Sequence, residues 1–249
     1  MSWQLPARCA DAGEPQTYAP VTVAMKPVQV SEHVWFVQGE AGVATDNEGF
    51  ISNAGFVVTG AGVVVFDALG SPSLGDALLK QIRKVTSEPV VRVIVSHYHA
   101  DHIYGLQVFE DLDAEILAPA GAEKYLDSEQ AAERLEERRF TLDPWVNEDT
   151  RLVYPDALLE EGAQFRLGDV EFIVTVVGNA HSDGDLTLFV VPDRVLFSGD
   201  IIFEGRVPFL GDANTARWVQ VLERMEREQL VALVPGHGGV AEKPNEAIG

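Results

Sequence analysis

The stretch that decides the fold is His97-Tyr98-His99-Ala100-Asp101-His102, which places four metal-binding side chains within six residues. It comes directly after the largely apolar run 90–95, a pattern typical of a strand that is covered on both faces. Imidazole and carboxylate groups are side chains that bind zinc, iron or manganese. The stretch therefore predicts a metal site at the end of a buried strand.

Three more metal-binding side chains, His181, Asp200 and His237, each follow a strand-like run further along the chain. In α/β proteins, sites form where loops leave the ends of neighbouring strands. We therefore expect these three side chains to meet the stretch 97–102 at one rim of a sheet.

The spacing within the stretch divides the ligands into two sets. His97 and His99 are two residues apart, so in an extended segment their side chains point the same way. With His181 they would give one ion about three protein ligands, which leaves a position open for water. Asp101 and His102 lie in the turn that follows and point elsewhere, so they are available to a second ion.

The second set would be completed by His237, and the carboxylate of Asp200 can bridge the two ions. Two ions about 3.5–4 Å apart share a water and lower its pKa toward neutrality. The resulting hydroxide would attack a polarised carbonyl, while the second ion stabilises the leaving group. Asp101 would also orient the hydroxide, which makes it the candidate catalytic residue.

Strand-like and helix-like segments alternate twice along the chain, and each half ends in ligand-type residues. This predicts an α/β fold in four layers, an αββα sandwich with two sheets face to face and helices outside. Residues 1–26 are expected to form an extended, weakly ordered arm and residues 27–249 a single domain. The predicted strands are 34–37, 56–58, 63–66, 90–95, 164–167, 170–177, 186–191 and 195–197. Helices are predicted from Ser71-Pro72, after Asp101, over 119–139 and from Asn214-Thr215, with loops at 39–53 and 140–156.

The charge balance argues against nucleic-acid partners. The formal net charge is −21, and residues 101–161 hold 17 acidic against 5 basic side chains. Proteins that bind nucleic acid need a basic patch to displace counterions from phosphate, and the sequence has no such cluster. We therefore expect a small-molecule substrate.

Apolar runs and cysteine content add little about location. No run of about 18 apolar residues predicts a membrane span, and no signal peptide is visible. Cys9 is the single cysteine, so an internal disulfide is excluded. The compartment is cytoplasmic if the first residue is native and periplasmic if a signal peptide was removed; the oligomeric state stays open.

The residues 97–102, with His181, Asp200 and His237 in that order, resemble the signature of the metallo-β-lactamase fold superfamily. The resemblance covers roughly residues 30–240. It implies an αββα fold and a dinuclear hydrolase, usually with two zinc ions, although iron or manganese also fits the ligands. It further implies that Asp67, which ends the run 63–66, supports a ligand histidine from behind. The expected substrate is an ester, thioester, lactone or amide.

Placement within the superfamily leaves alternatives open. The best-known β-lactamases carry Cys where Asp200 stands, and Asp200 is similar to the glyoxalase II pattern. The segments 52–56 and 67–72 look like a bacterial branch linked to sulfur oxidation and quinoprotein relays. Alternatives to the hydrolase above are an amidase acting on β-lactams, a mononuclear iron persulfide dioxygenase, and a metal that only stabilises the fold.

A few residues outside the ligand set are candidates for substrate contact. Arg206 could hold a substrate carboxylate. The loop 39–53 could cover the site as a flap, with Phe50 or Val43 touching substrate, although a plain hairpin is equally consistent. Trp145 and Tyr154 could line the pocket, but aromatic residues in loops more often pack locally.

Overall fold

The computed structural model describes residues 17–225 and 229–248. Residues 1–16 of the expected arm, including Cys9, lie outside these ranges, and residues 17–26 form neither helix nor strand. Tyr18, Val21 and Val23 pack against the first hydrophobic core. The described part of the arm therefore lies on the domain surface as an extended segment with its own apolar contacts.

The first sheet has seven strands in chain order, antiparallel from the first to the fourth and parallel from the fourth to the seventh. The strands 34–37 and 63–66 have the predicted bounds. Three short strands, 27–29, 115–119 and 157–159, were not predicted. The strands are β1 Pro27–Gln29, β2 Val34–Val37, β3 Ala54–Val58, β4 Val63–Phe66, β5 Val90–Ile94, β6 Glu115–Pro119 and β7 Ala157–Leu159.

The second sheet has five strands, in the order β12-β11-β10-β9-β8. Its members are β8 Ala163–Leu167, β9 Val170–Gly178, β10 Asp185–Val190, β11 Val195–Phe203 and β12 Ala232–His237. The pairs are antiparallel except for β11 with β12, which is parallel. Strand β11 is longer than predicted, so Asp200 lies within the strand and not beyond it.

Seven α-helices are described: α1 Pro72–Val85, α2 Ala100–Ile103, α3 Leu106–Glu110, α4 Ala122–Leu126, α5 Glu129–Thr141, α6 Thr215–Met225 and α7 Pro244–Ile248. Helix α1 begins as predicted, because the Ser71 side chain accepts a hydrogen bond from the backbone N–H of Leu74 at 3.1 Å. The single helix predicted over 119–139 is wrong. Ser128 caps α5 by accepting from the N–H of Ala131, so the segment divides into two helices. None of the described helices is long and apolar enough to cross a membrane.

Three apolar clusters separate the layers. One lies between the first sheet and α1 and α3, and another between the second sheet and α6 and α7. The cluster between the two sheets includes Phe66 and Phe197, whose rings stack with centroids 5.3 Å apart. A side chain on Gly55 would collide with Phe197 at 2.0 Å, so the glycine permits this close approach of the sheets. The four-layer αββα prediction is confirmed.

Candidate metal centre

The seven predicted ligands come together at one rim of the sandwich. His97 and His99 follow β5, and Asp101 and His102 lie in α2. His181 follows β9, Asp200 lies in β11 and His237 ends β12. Their ligand atoms form two groups, and within each group the atoms lie within 4.8 Å of one another. One group is His97, His99, His181 and Asp200, and the other is Asp101, His102 and His237.

The first group is compact. Nδ1 of His99 lies 3.0 Å from Nε2 of His181, and Nε2 of His181 lies 3.3 Å from Oδ2 of Asp200. Nε2 of His97 is 3.7 Å from the same oxygen. Three ring nitrogens and one carboxylate oxygen therefore face a common point.

The second group shares the carboxylate of Asp200 with the first. Nε2 of His237 lies 3.3 Å from Oδ2 of Asp101 and 3.3 Å from Oδ2 of Asp200. Nε2 of His102 lies 3.2 Å from Oδ1 of Asp200 and 3.7 Å from Oδ2 of Asp101. Asp200 thus lies between the two groups, where a bridging ligand has to lie.

The donor set fits metal ions, as three unpartnered atoms show. Nε2 of His97, Nε2 of His102 and Oδ1 of Asp200 are buried and make no hydrogen bond of acceptable geometry to the described residues, although the last two atoms lie 3.2 Å apart. An unsatisfied buried polar group costs roughly 1–3 kcal/mol. Cations bound between these atoms would satisfy all three.

Hydrogen bonds behind the histidines fix which ring nitrogen faces the site. Nδ1 of His237 is 2.7 Å from the carbonyl oxygen of Ile51, which can only accept, so Nδ1 donates. Nδ1 of His97 contacts Oγ of Ser96 at 2.9 Å, and Nδ1 of His102 contacts Oδ2 of Asp67 at 2.9 Å. In each ring the lone pair of Nε2 is then free to bind a metal.

Asp67 supports both groups from behind the site. Its side chain is buried and its backbone is left-handed, with φ at 63°. Oδ1 accepts from the N–H of Ser96 at 2.7 Å, and Oδ2 accepts from Oγ of Ser96 at 2.8 Å as well as from His102. Because Ser96 in turn contacts His97, one carboxylate orients a ligand histidine in each group.

The loop that carries His181 is held by Asp185, which the sequence pattern did not reveal. The carboxylate of Asp185 accepts from the backbone N–H of Ala180 at 2.9 Å and of His181 at 2.8 Å. It also accepts from the N–H and the Oγ of Ser182. Burial raises the pKa of Asp185 to about 6, although these donors act in the opposite direction. The His181 backbone is thereby fixed before any ion binds.

Four histidines of the metal-free centre fall into two pairs, one with lowered and one with raised pKa values. Burial and repulsion from the neighbouring imidazoles lower the pKa of His97 well below its usual value, and burial lowers that of His181 to about 4. Burial acts in the same direction on His102 and His237, but the carboxylates Asp200 and Asp101 outweigh it and raise both pKa values. The acidic members of the cluster therefore favour positive charge on His102 and His237.

The residues proposed for substrate contact have different environments. Arg206 is exposed, and its Nη1 lies 3.1 Å from Nδ1 of His237, so it lies at the rim of the centre. Phe50 is fully buried in the first apolar core, so the predicted contact of Phe50 with substrate is not supported. Trp145 donates to the carbonyl oxygen of Pro20, and the Tyr154 hydroxyl to Asp127. Both aromatic side chains thus bond to residues outside the two ligand groups.

A cleft of about 250 Å³ opens beside His99. Its walls include Tyr98, Tyr125 and Asp212, together with the ion pair between Lys124 and Asp183, whose atoms are 2.7 Å apart. The sequence does not reveal the polar members of this wall, because isolated polar residues in helices and loops form no recognisable pattern. The cleft gives a small molecule access to the first ligand group.

The sequence profile described as "Metallo-beta-lactamase superfamily" matches residues 47–237. The chain belongs to the metallo-β-lactamase superfamily. The match spans the positions of all seven candidate ligands, and the members of the superfamily are hydrolases. This protein is therefore a hydrolase of that superfamily.

Curated relatives include both lactamases and a thioesterase. The metallo-beta-lactamase IND-1 of Chryseobacterium indologenes is 23% identical over 85% of this chain and 80% of its own length. The acyl-coenzyme A thioesterase MBLAC2 of Gallus gallus is 31% identical over 58% of this chain and 55% of its own length. The chain thus spans just over half of that thioesterase.

Solved structures share the fold at lower identity. A metallo-beta-lactamase from Pontibacter korlensis has a TM-score of 0.69 at 19% identity, covering 90% of this chain and 95% of that one. The sec-alkylsulfatase Pisa1 from Pseudomonas sp. has a TM-score of 0.69 at 17% identity, covering 90% of this chain and 40% of that one. These likenesses establish the architecture.

Proposed function

We propose that this hydrolase binds two zinc ions and uses them to direct water at the carbonyl carbon of an ester, thioester, lactone or amide. The observation that carries the proposal is the position of Asp200. Its two oxygens lie 3.2–3.3 Å from ring nitrogens of His102, His181 and His237, which belong to both ligand groups. A shared carboxylate between two half-sites is the arrangement that a dinuclear centre requires.

The division of ligands follows from the distances. The first ion would be held by His97, His99 and His181, the second by Asp101, His102 and His237, and both by Asp200. When bound, such a pair of ions supplies a water of lowered pKa and polarises the carbonyl under attack. Three protein ligands besides the bridging group leave room for water and substrate at each position.

Asp101 is the candidate catalytic residue of the chain. Its carboxylate faces the second group, with Oδ2 3.3 Å from Nε2 of His237, and its side chain is 22% exposed. Ser52 donates its hydroxyl to the backbone oxygen of Asp101, which fixes this turn against the loop 39–53. A carboxylate held at the edge of the centre can accept a hydrogen bond from the attacking water and orient it.

The cleft beside His99 is the route by which we expect a substrate to reach the centre. It is open to small molecules and leads directly to the first ligand group. The identity to an acyl-coenzyme A thioesterase and to β-lactamases supports acyl compounds as substrates. Among these we favour thioesters, because the thioesterase shares the higher identity, at 31%.

Metal content and hydrolysis are measured together on the zinc-loaded protein. A panel of acyl thioesters, an aryl ester, a lactone and the β-lactam nitrocefin is compared for the unchanged protein, Asp200→Ala and His33→Ala. His33 contacts Asp193 at 3.0 Å and belongs to neither ligand group, so its substitution is the matched control. We expect two zinc ions per chain and hydrolysis in the unchanged and control proteins.

Asp200→Ala should bind fewer than two ions and lose hydrolysis. Full turnover by that variant would exclude a bridging role for Asp200 and overturn the mechanism. One iron per chain with oxygen uptake on a persulfide would replace the proposal by a dioxygenase. Turnover of nitrocefin alone would replace it by a β-lactam amidase.

A further inference from the structure

His99 differs from the other histidines of the centre in the nitrogen that it presents. Its Nδ1 lies 3.0 Å from Nε2 of His181 and so faces the first ligand group. Its Nε2 points outward and lies 3.4 Å from Oδ2 of Asp212. For Nδ1 to offer a lone pair, the proton of the neutral ring must stay on Nε2, and an acceptor beside Nε2 favours that tautomer.

The segment 204–214 that carries Asp212 is attached to two other ligand loops. At its start, the N–H of Glu204 donates to the carbonyl oxygen of His237 at 2.9 Å. At its end, the N–H of Asn214 donates to the carbonyl oxygen of Ala180, next to His181, at 2.8 Å. The segment therefore crosses the first ligand group between two fixed points.

Phe209, on the same segment, contacts the ring of His99 from another direction. The two rings meet edge to face with centroids 6.0 Å apart. The Phe209 ring lies over Gly211, where an added Cβ would come within 2.3 Å of it. The segment thus supplies both an apolar contact and an acidic contact to one side chain, which is 20% exposed.

We propose that Asp212 is a positioning residue that holds His99 in the tautomer and orientation needed to bind the first metal ion. The inference assumes the metal centre of the proposed function. Carboxylates that contact the outer nitrogen of a metal-binding histidine raise its basicity, and their loss typically lowers metal affinity 10- to 100-fold. Asp212 is 42% exposed, so we expect the lower end of that range.

The test is zinc affinity, measured by competition with a chelator, for the unchanged protein, Asp212→Ala, Asp212→Asn and Asp127→Ala. Asp127 is the matched control, because its carboxylate contacts the Tyr154 hydroxyl at 2.7 Å and belongs to neither ligand group. We expect Asp212→Ala to lower the affinity for one of the two zinc ions about tenfold. Asp212→Asn should lower this affinity less, since an amide oxygen at the same position can still face Nε2. The control should bind both ions normally.

Two further readouts separate positioning from a general structural role. The absorption spectrum of the cobalt-loaded protein should change in Asp212→Ala, because the geometry of one site changes. The thermal midpoint of the metal-free protein should stay the same, since Asp212 is half exposed. Equal zinc affinity in Asp212→Ala and the unchanged protein would overturn the inference. So would a thermal midpoint of metal-free Asp212→Ala that is lowered as much as that of the zinc-loaded variant, because the residue would then stabilise the fold and not the metal site. Failure of the unchanged protein to bind two ions would instead contradict the proposed function.

Discussion

Oδ2 of Asp67 lies 2.9 Å from Nδ1 of His102, and both side chains are almost completely buried. The same oxygen accepts from Oγ of Ser96, which contacts His97. One carboxylate therefore stands behind a histidine of each ligand group, and the two groups share this support as well as their contacts with the carboxylate of Asp200.

Asp67→Asn should weaken zinc binding by roughly 10- to 100-fold, because the amide supplies an N–H where Ser96 and His102 both need an acceptor. Asparagine tolerates the left-handed backbone at this position, so the main chain should keep its conformation. Leaving a buried donor unpaired should also lower the free energy of unfolding by about 1–3 kcal/mol. Chelator competition and urea unfolding measure the two effects.

The control for this substitution is Asp193→Asn. Asp193 also contacts a histidine, His33, at 3.0 Å, but neither residue belongs to a ligand group. Normal zinc affinity is expected in that variant. If both variants lost zinc equally, the effect would be a general cost of removing a carboxylate and not a property of the support behind the centre.

Gly236→Ala should disturb the carboxylate of Asp200, which contacts both ligand groups. An added Cβ at this position would lie 2.0 Å from Oδ1 of Asp200, so the carboxylate has to move. Overpacking of this kind costs roughly 1–3 kcal/mol of folding free energy. Because Asp200 serves both groups, we expect the variant to lose both ions, as measured by metal analysis after dialysis.

Gly239→Ala, two residues beyond the end of β12, is the matched comparison. Its added Cβ would have Oε1 of Gln38 as its nearest neighbour, at 3.9 Å, which is ordinary contact distance. This variant should keep both zinc ions and its thermal stability. Retention of both ions by Gly236→Ala would show that Asp200 can move without loss of the centre.

The convergence of the seven candidate ligands could be predicted from sequence, because histidines and aspartates at strand ends are visible locally. Asp212 could not be predicted, since an exposed aspartate in a loop looks the same whether or not it contacts a histidine. Phe50 shows the opposite error. Its neighbours are Gly, Asp and Asn, which indicate an exposed loop, yet tertiary packing buries the ring completely.

The fold likewise has elements that the sequence predicts and elements that it does not. Strands β2 and β4 have the predicted bounds because their apolar runs are sharply delimited. The three-residue β7 was missed, because its residues are only half-buried and its pairing with β6 is a non-local contact. The break between α4 and α5 depends on the capping hydroxyl of Ser128, which composition alone does not reveal.

Zinc binding should release protons near neutral pH. In the metal-free protein the carboxylates Asp200 and Asp101 raise the pKa values of His102 and His237 above the usual value near 6.5, so both rings hold their protons to a higher pH than a free imidazole does. A metal ion needs the neutral ring, and binding must therefore displace those protons. The apparent affinity should rise with pH through the neutral range and fall as the solution becomes more acidic.

Calorimetric titration of the metal-free protein with zinc, in two buffers of different ionisation enthalpy, measures the number of protons released. We expect at least one proton per chain at pH 7, and fewer from His102→Ala, which lacks one of the protonated rings. His33→Ala should release as many as the unchanged protein, since His33 lies outside both groups. The same heat of binding in both buffers would show that no proton is released. The two rings would then be neutral before zinc arrives, and the carboxylates would not hold positive charge in the empty centre.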